Sequence, residues 1–301
     1  MKKGLHNYLI YISLVFLIVA LIKADYLKIP TIYSSHLLLA AFSLLFVGFI
    51  ANTISQYKFL ALCNYAVPGR CALAMVGLNI FGKYIPGKMW MAVGSAVYAA
   101  EKSGYSVVDL SVMVLQAHII GIWCGLILGI TGLLISNSLH LVSWIGCFML
   151  FGLSVVLFSK TAHDRVERLI NKFRATPVKL PRLTVRSTII LLPWFFSSWL
   201  SWGIGFYFLT ASLTPHTLPL STIFCFPLAG TLGILFLLAP GGIGIREGIM
   251  VGYLSQLNIQ LADAITIAAA SRLWFLIGEI FIFGLGFCAH RWRRGAITSK
   301  D

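Results

Sequence analysis

The sequence predicts an all-α polytopic membrane protein with about six full spans and two re-entrant hairpins that are broken by Gly and Pro, arranged as an inverted repeat. Hydrophobic residues make up 59% of the 301 residues and charged residues 11%, whereas a soluble globular domain has about 25% charged residues. Apolar segments recur from residue 8 to residue 289, and the longest polar gap, 159–187, is too short to fold by itself. We therefore expect a single integral-membrane domain over residues 1–301.

The first apolar segment is predicted to be a retained helix and not a cleaved signal peptide. Its apolar run is longer than the roughly 7–15 residues of a signal-peptide core. Ile22, followed by Lys23 and Ala24, also departs from the small-residue pattern of a cleavage site.

The remaining spans follow from length, because a helix needs about 20 apolar residues to cross the hydrocarbon core. The six predicted spans are 6–22, 32–54, 107–135, 139–158, 187–211 and 264–289.

Most of the basic residues that give the net charge of +14 lie at the two termini and in the loop 159–186. Loops rich in Lys and Arg mark the cytoplasmic side. We therefore expect a multi-pass protein of the cytoplasmic (inner) membrane with both termini in the cytoplasm. We attribute the positive charge to the orientation of the chain in the membrane and to attraction to anionic lipid headgroups, and we expect no nucleic-acid partner.

Two apolar stretches, 57–100 and 218–262, do not fit simple spans, because each has a Gly/Pro break with charges in its middle. Lys58 and Lys102 place both ends of the first stretch on the cytoplasmic side. The loops around the second stretch lack Lys and Arg, which places both of its ends outside. Each stretch is therefore predicted to be a re-entrant hairpin, and the two hairpins enter from opposite sides.

These elements divide the chain into two halves, 1–135 and 139–289, each with the order helix, helix, hairpin, helix. Each half has three crossings, so the second half is inverted relative to the first. Inverted repeats with interrupted helices in corresponding positions are typical of transporters whose site lies near the midplane of the bilayer. Irregular backbone at that depth is tolerated where it is buried in protein or lines a wet cavity.

Ionisable side chains within the apolar segments are costly, at about 2.5–3.5 kcal/mol or more each, and therefore mark functional positions. The set comprises four cations and two carboxylates: Lys83, Lys88, Arg246, Arg272, Glu247 and Glu279. Two structural ion pairs are compatible with this set, Arg246 with Glu279 or Arg272 with Glu247. The excess of two positive charges favours an anionic ligand.

Besides these charged side chains, the two breaks are expected to provide backbone N–H donors. The glycines at 241, 242 and 244 allow a close approach to a ligand or a positive φ. The helix predicted to begin near Ile245 would present free amides to an anion. The stretch KYIPGK repeats the pattern, since Lys83 and Lys88 bracket a Pro-Gly turn.

Three motifs resemble the flippase-like membrane domain of lysylphosphatidylglycerol synthases: KYIPGKMW at 83–90, PGGIGIREG at 240–248 and SRLWFLIGE at 271–279. The resemblance covers nearly the whole chain. It implies translocation of an anionic or aminoacylated lipid, or of a lipid-linked glycan precursor, between leaflets. The chain ends at Asp301 without the aminoacyl-transferase domain of the bifunctional synthases, so we expect a stand-alone relative that does not aminoacylate lipid. The positions that match the family's motifs are Pro86, Gly87, Pro240, Gly241, Gly242, Gly244, Glu247 and Arg272.

We accordingly expect a transporter or flippase for an anionic phospholipid or a polyprenyl-phosphate-linked substrate, without enzymatic activity, cofactor or metal. The six Cys include no CxxC pair, so the sequence predicts neither a metal site nor a disulfide framework. The expected substrate-binding residues are Lys83, Pro86, Gly87, Lys88, Pro240, Gly241, Gly242, Gly244, Arg246, Glu247, Arg272 and Glu279.

Two alternatives remain open. The chain is a non-transporting partner of an envelope lipid or polysaccharide synthase that docks through the basic loop 159–186, part of which has the pattern of an interfacial amphipathic helix. Or the chain is a membrane transferase that uses lipid-phosphate donors, which needs clustered carboxylates or His. The candidates for that chemistry are isolated along the sequence: Asp25, His140, His216 and Asp263.

Overall fold

The computed structural model describes residues 31–85, 90–136, 141–172, 177, 185–236, 242 and 244–298. Within these residues the chain is helical and has no β-strand, which confirms the all-α prediction. The predicted span 6–22 lies outside the described residues. The same holds for five of the predicted site residues: Pro86, Gly87, Lys88, Pro240 and Gly241.

Ten α-helices and two short 3-10 turns, Ile80–Tyr84 and Leu220–Phe224, make up the described part of the chain. The helices are α1 (Ser35–Leu62), α2 (Gly69–Asn79), α3 (Trp90–Ser103), α4 (Val107–Ile135), α5 (Leu141–Phe158), α6 (Lys160–Lys172), α7 (Val185–Leu213), α8 (Cys225–Leu235), α9 (Ile245–Gln256) and α10 (Leu261–Thr298).

Four of these helices are long and apolar enough to cross a membrane, namely α1, α4, α7 and α10. A fifth crossing is obtained if α5 and α6 are taken together as one broken span. The fold is therefore that of a multi-pass membrane protein.

The first predicted hairpin was given the wrong boundary, because α1 continues past residue 57 to Leu62. The extra turns stay helical because they carry fully buried side chains, among them Phe59 and Leu60. Just beyond the end of α1, Asn64 has a positive φ of 63°. The amide of Tyr65 donates back to the carbonyl of Leu60 at 2.9 Å, a common way to close a helix C-terminus.

Both broken stretches are pairs of short helices. Helix α2 passes into the 3-10 turn Ile80–Tyr84, and α3 packs back against it. In the second half of the chain, α9 packs back against α8 in the same manner. These four helices have 11, 14, 11 and 12 residues, fewer than the roughly 20 that a full crossing needs.

The basic loop predicted at 159–186 is partly helical. Helix α6 follows α5 after a single residue, and the axes of the two helices differ by 80°. Arg165 and Arg168 are exposed on α6.

The bundle is held together by contacts between distant parts of the chain. The most extensive packing joins α1 to α7, and α10 packs against α2, while α4 packs against α8. The buried apolar side chains of the described residues form one cluster. At its centre, Phe49 of α1, Trp202 of α7 and Phe275 of α10 form mutual aromatic contacts, with ring centroids 4.9–5.4 Å apart.

Candidate functional site

A cavity of about 200 Å³ lies beside this aromatic cluster, between the two broken stretches. Lys83, in the 3-10 turn that leads into the first break, lines it. Gly242 and Arg246, on either side of the start of α9, line it as well. The two break motifs, far apart in sequence, therefore reach the same cavity.

Arg246 is the most unusual side chain in the cavity wall. It is only 6% exposed, and its guanidinium carbon lies 4.5 Å from the ring centroid of Phe226 and 4.9 Å from that of Phe275. Among the described residues, no carboxylate lies within ion-pairing distance of Arg246, and its Nε and Nη2 atoms have no hydrogen-bond partner. The aromatic faces offset part of the desolvation of this cation, but two strong donors stay unsatisfied.

Lys83 is neutralised by Glu279. Its Nζ donates to Glu279 Oε1 at 2.5 Å, and the hydroxyl of Tyr84 donates to Glu279 Oε2 at 2.9 Å. Glu279 is 1% exposed, so both of its oxygens are used in a dry environment. The expected pairing of Glu279 with Arg246 is wrong, because Lys83 and Tyr84 bind the two carboxylate oxygens of Glu279.

Arg272 and Glu247 form the other expected pair, with 3.7 Å between Arg272 Nη1 and Glu247 Oε1. Glu247 Oε2 also accepts the backbone N–H of Gly244 at 2.7 Å. Glu247 therefore neutralises a cation 5% exposed and fixes the start of α9 at the same time. The guanidinium of Arg272 lies 5.4 Å from the centroid of the Tyr84 ring.

The backbone at the second break follows its glycines. Gly242 and Gly244 have φ of +71° and +82°, the positive values that the sequence suggested. A Cβ on Gly242 would lie 3.2 Å from the carbonyl oxygen of Gly233, so the chain passes close to α8 here. The break was expected to present free amides to an anion, and the amide of Gly244 donates instead to Glu247.

The charge of the described interior is therefore uneven. Lys83 and Arg272 each have a carboxylate partner, and Arg246 carries the remaining positive charge. The expected excess of two cations included Lys88, which lies outside the described residues.

Sequence reasoning missed several residues of this site. Tyr84 lies within the quoted KYIPGK motif, but nothing in the sequence places its hydroxyl on Glu279. Phe226 and Phe275 are two of 21 Phe, and no periodicity singles them out. Asn52, Gln56 and His118 also line the cavity, and their polar side chains within otherwise apolar spans were a usable signal.

No model of a known protein family matches the chain, and no curated protein matches it. The resemblance to the flippase-like domain therefore rests on its three short motifs. Two of these motifs supply residues that meet at the cavity, Lys83 and Arg246, and the third supplies the partner of Lys83, Glu279.

Proposed function

We propose that this chain is a membrane transporter that moves an anionic lipid or lipid-linked substrate between leaflets, and that it is not an enzyme. The observation that carries the proposal is Arg246, a buried cation with two unsatisfied donors in a cavity that Lys83 also lines. A buried charge without a counter-charge is costly. A phosphate oxygen at Nε and Nη2 would supply both hydrogen bonds and the missing charge, in the geometry that a guanidinium favours.

The size of the cavity supports a headgroup as the ligand. Pockets for drug-sized ligands measure roughly 300–1,000 Å³, and this cavity has about 200 Å³. In the proposed cycle the headgroup occupies the cavity while the acyl or prenyl tails stay in the bilayer. Arg246 and Lys83 contact the phosphate, and Glu247 and Glu279 hold the surrounding cations in place.

An inverted repeat belongs to the same proposal. In it, α1 corresponds to α7, α2 to α8, α3 to α9 and α4 to α10. The packing partners support this correspondence: α2 on α10 matches α8 on α4, α3 on α4 matches α9 on α10, and α1 packs on its own counterpart α7. Rocking of two such halves would open the central cavity to one leaflet and then to the other.

The proposed topology has six spans, two re-entrant hairpins that enter from opposite sides, and both termini in the cytoplasm, at the inner membrane. The Lys/Arg-rich segments at the termini and at 159–186 support this orientation.

Translocation in reconstituted vesicles tests the function. The full chain would be inserted into vesicles with a tail-labelled fluorescent phospholipid or polyprenyl phosphate. The assay follows how fast the label in the inner leaflet loses its protection from a membrane-impermeant quencher added outside. We expect Arg246→Ala to lower the rate at least about tenfold, because hydrogen bonds to charged groups contribute about 1.5–3 kcal/mol. Arg168→Ala, which removes an exposed arginine of α6, is the matched control and should leave the rate unchanged. Rates equal to those of empty vesicles for both lipids, or an unchanged rate in Arg246→Ala, would reject the proposal.

A second candidate function is docking of a cytoplasmic synthase on α6, which is favoured by its 80° bend from α5 and its exposed basic side chains. In that case the wild-type vesicles show no translocation, and Arg165→Glu with Arg168→Glu abolishes co-purification of the synthase. The transferase alternative predicts that purified protein consumes the lipid headgroup in the same vesicles.

A further inference from the structure

The ion pair between Lys83 and Glu279 joins the cavity wall to the dry interior, and from it we infer that the site takes up a proton together with a doubly charged headgroup. When a lipid-linked phosphomonoester binds, Lys83 moves from Glu279 to the phosphate, and Glu279 takes up a proton from solvent. This inference rests on the proposed function and specifies its substrate class. It also assigns the proton to one of the two carboxylates of the site.

The two partners of this ion pair differ in their access to the cavity. Lys83 lines the cavity, and its side chain is 24% exposed. Glu279 is 1% exposed and is not among the described residues that line the cavity. A ligand in the cavity therefore meets Lys83 and not Glu279. A ligand that draws Lys83 away leaves a buried carboxylate without its cation, which is strongly unfavourable.

A proton on Glu279 removes that penalty. In the ion pair, Lys83 Nζ donates to Oε1 of Glu279, and the hydroxyl of Tyr84 donates to Oε2. When Lys83 leaves, an O–H bond forms at Oε1 with a proton from solvent, and Oε2 still accepts the hydrogen bond from Tyr84. The carboxyl group is then neutral, which is the form that a dry environment favours.

The groups around the pair leave this response to Glu279. Its helix, α10, packs against α1, α2, α7, α9 and the 3-10 turn that contains Lys83. The other ionisable groups that these elements place around the pair are Tyr84, Arg272 and Arg246. Within the described residues, no titratable side chain of α1, α2 or α7 forms a hydrogen bond or an ion pair with Glu279. Glu279 is also the only described carboxylate that is paired with Lys83.

Glu247, the second carboxylate of the site, is not placed for the same exchange. Its cation, Arg272, is not among the described residues that line the cavity. Its Oε2 accepts the backbone N–H of Gly244. A headgroup in the cavity therefore does not compete with Glu247 for its partners, and Glu247 keeps its charge.

The number of cations sets the charge of the headgroup. Lys83 Nζ and the Arg246 guanidinium each lie 4.9 Å from the centroid of the Phe275 ring, so both cations lie beside the same part of the cavity. A phosphodiester has one negative charge, which Arg246 balances while Lys83 stays with Glu279. A phosphomonoester has nearly two negative charges at neutral pH, and the second charge draws Lys83 away. With Glu279 protonated, two cations then meet two negative charges.

Calorimetric titration of the full chain in detergent tests the inference with three ligands. Farnesyl phosphate and an ether-linked dihexyl phosphatidic acid are phosphomonoesters on two kinds of tail, and farnesyl methyl phosphate is the matched diester. Near pH 7.5 the monoesters are almost fully ionised, because their second pKa is about 6. Heats measured in two buffers of different ionisation enthalpy give the number of protons taken up.

We expect uptake of about one proton for each monoester bound and none for the diester. Above about pH 7, the affinity for the monoesters should therefore fall up to about tenfold for each unit by which the pH rises, whereas the affinity for the diester should stay constant. None of the three ligands contains a carbonyl group. Infrared difference spectra of the wild-type protein should therefore show the C=O stretch of a newly protonated carboxyl group with either monoester and not with the diester.

Glu279→Gln assigns the proton, because it replaces the carboxyl group by a neutral amide of similar size. We expect no proton uptake and no carboxyl band in this variant. Its affinity for the monoesters near pH 7.5 should equal or exceed that of the wild type, because Lys83 no longer has to leave a carboxylate; a purely structural role of Glu279 predicts weaker binding. Glu247→Gln should keep the proton uptake and the band. Glu101→Gln, at the exposed end of α3, is the matched control and should also keep both.

The inference is overturned if neither monoester binds, if the monoesters bind without proton uptake, if the diester takes up as many protons, or if uptake persists in Glu279→Gln. The infrared measurement on the wild type decides the matter even where Glu279→Gln does not fold. Translocation that depends on Arg246 but occurs without proton uptake would sink this inference and leave the proposed function standing. Proton-coupled binding of a monoester without translocation would do the reverse.

Discussion

Five Lys, Arg and Glu side chains near the two breaks are held in three ways. Lys83 and Glu279 form a hydrogen-bonded pair with help from Tyr84. Arg272 and Glu247 form a longer ion pair that also anchors a helix terminus. Arg246 rests on aromatic rings alone and faces the cavity. In the first two arrangements a carboxylate balances the cation, whereas in the third two guanidinium donors have no hydrogen-bond partner among the described residues.

The Lys83–Glu279 pair makes a prediction about stability. Glu279→Leu leaves the Lys83 ammonium without its carboxylate, and we expect a loss of about 3 kcal/mol, at the lower end of the range for buried pairs, because the Lys83 side chain is 24% accessible. Lys83→Met together with Glu279→Leu should recover much of this loss, since no unpaired charge remains. Thermal unfolding in detergent measures both effects. Strictly additive losses in the two single variants and the double variant would contradict the assigned pairing.

At the scale of elements, the short helices α2, α3, α8 and α9 place the site by stopping within the bundle. Each has too few residues to cross the bilayer, so its end lies among other helices. At the second break, Gly244 has φ +82° and ψ −47°, a conformation that L-residues rarely adopt. The chain therefore enters α9, and reaches Arg246, through a turn that includes this conformation.

Gly244→Ala tests this dependence. A Cβ at this position meets no other atom within 4 Å, so the expected cost is backbone strain alone, about 1–3 kcal/mol. We expect a lower melting temperature together with slower lipid translocation in the vesicle assay, because α9 must reorient to relieve the strain. Gly248→Ala, which is one turn further into α9 and equally free of contacts, is the control and should be neutral or slightly stabilising. If the two variants have the same melting temperature, position 244 does not require a positive φ and the prediction is wrong.

At the scale of the whole molecule, the two halves meet along α1 and α7, and the cavity draws its wall from both. Neither half by itself encloses the aromatic cluster, because Phe49 comes from the first half and Trp202 and Phe275 come from the second. The site therefore exists only in the assembled bundle.

The proposed inverted arrangement predicts which side of the membrane each proposed hairpin enters from. Single cysteines would be placed at Leu62 and Glu101, around the first hairpin, and at Leu220 and Leu261, around the second, all of which are exposed. The exposed Cys147 and Cys288 would first be replaced by Ser. A membrane-impermeant maleimide should label the first two positions only from the cytoplasmic side and the last two only from the outside. Labelling of Leu62→Cys and Glu101→Cys from opposite sides would rule out the hairpin.

The sequence predicted much of the helical framework because the bilayer imposes a length and a polarity on every span. The helices α1, α4, α5, α7 and α10 all coincide with predicted spans, although α1, α7 and α10 extend beyond them. The break at Gly242 and Gly244 was predictable for a local reason, since positive φ is inexpensive only for Gly. The start of α9 at Ile245 follows from the same break.

The composition and the order of apolar and polar segments by themselves determined that the protein is a helical membrane protein. They also determined that it has ionisable side chains, which are costly to bury, beside two Gly/Pro breaks. Only the tertiary structure decided which charge meets which. Lys83 lies 196 positions before Glu279, and helical periodicity carries no information over such a distance. Pairing depends on how α10 packs against α2, which brings Glu279 to Lys83 and Tyr84 and leaves Arg246 facing the cavity. The choice is one of packing geometry, because both carboxylates carry the same charge, and charge alone does not distinguish which cation each one meets.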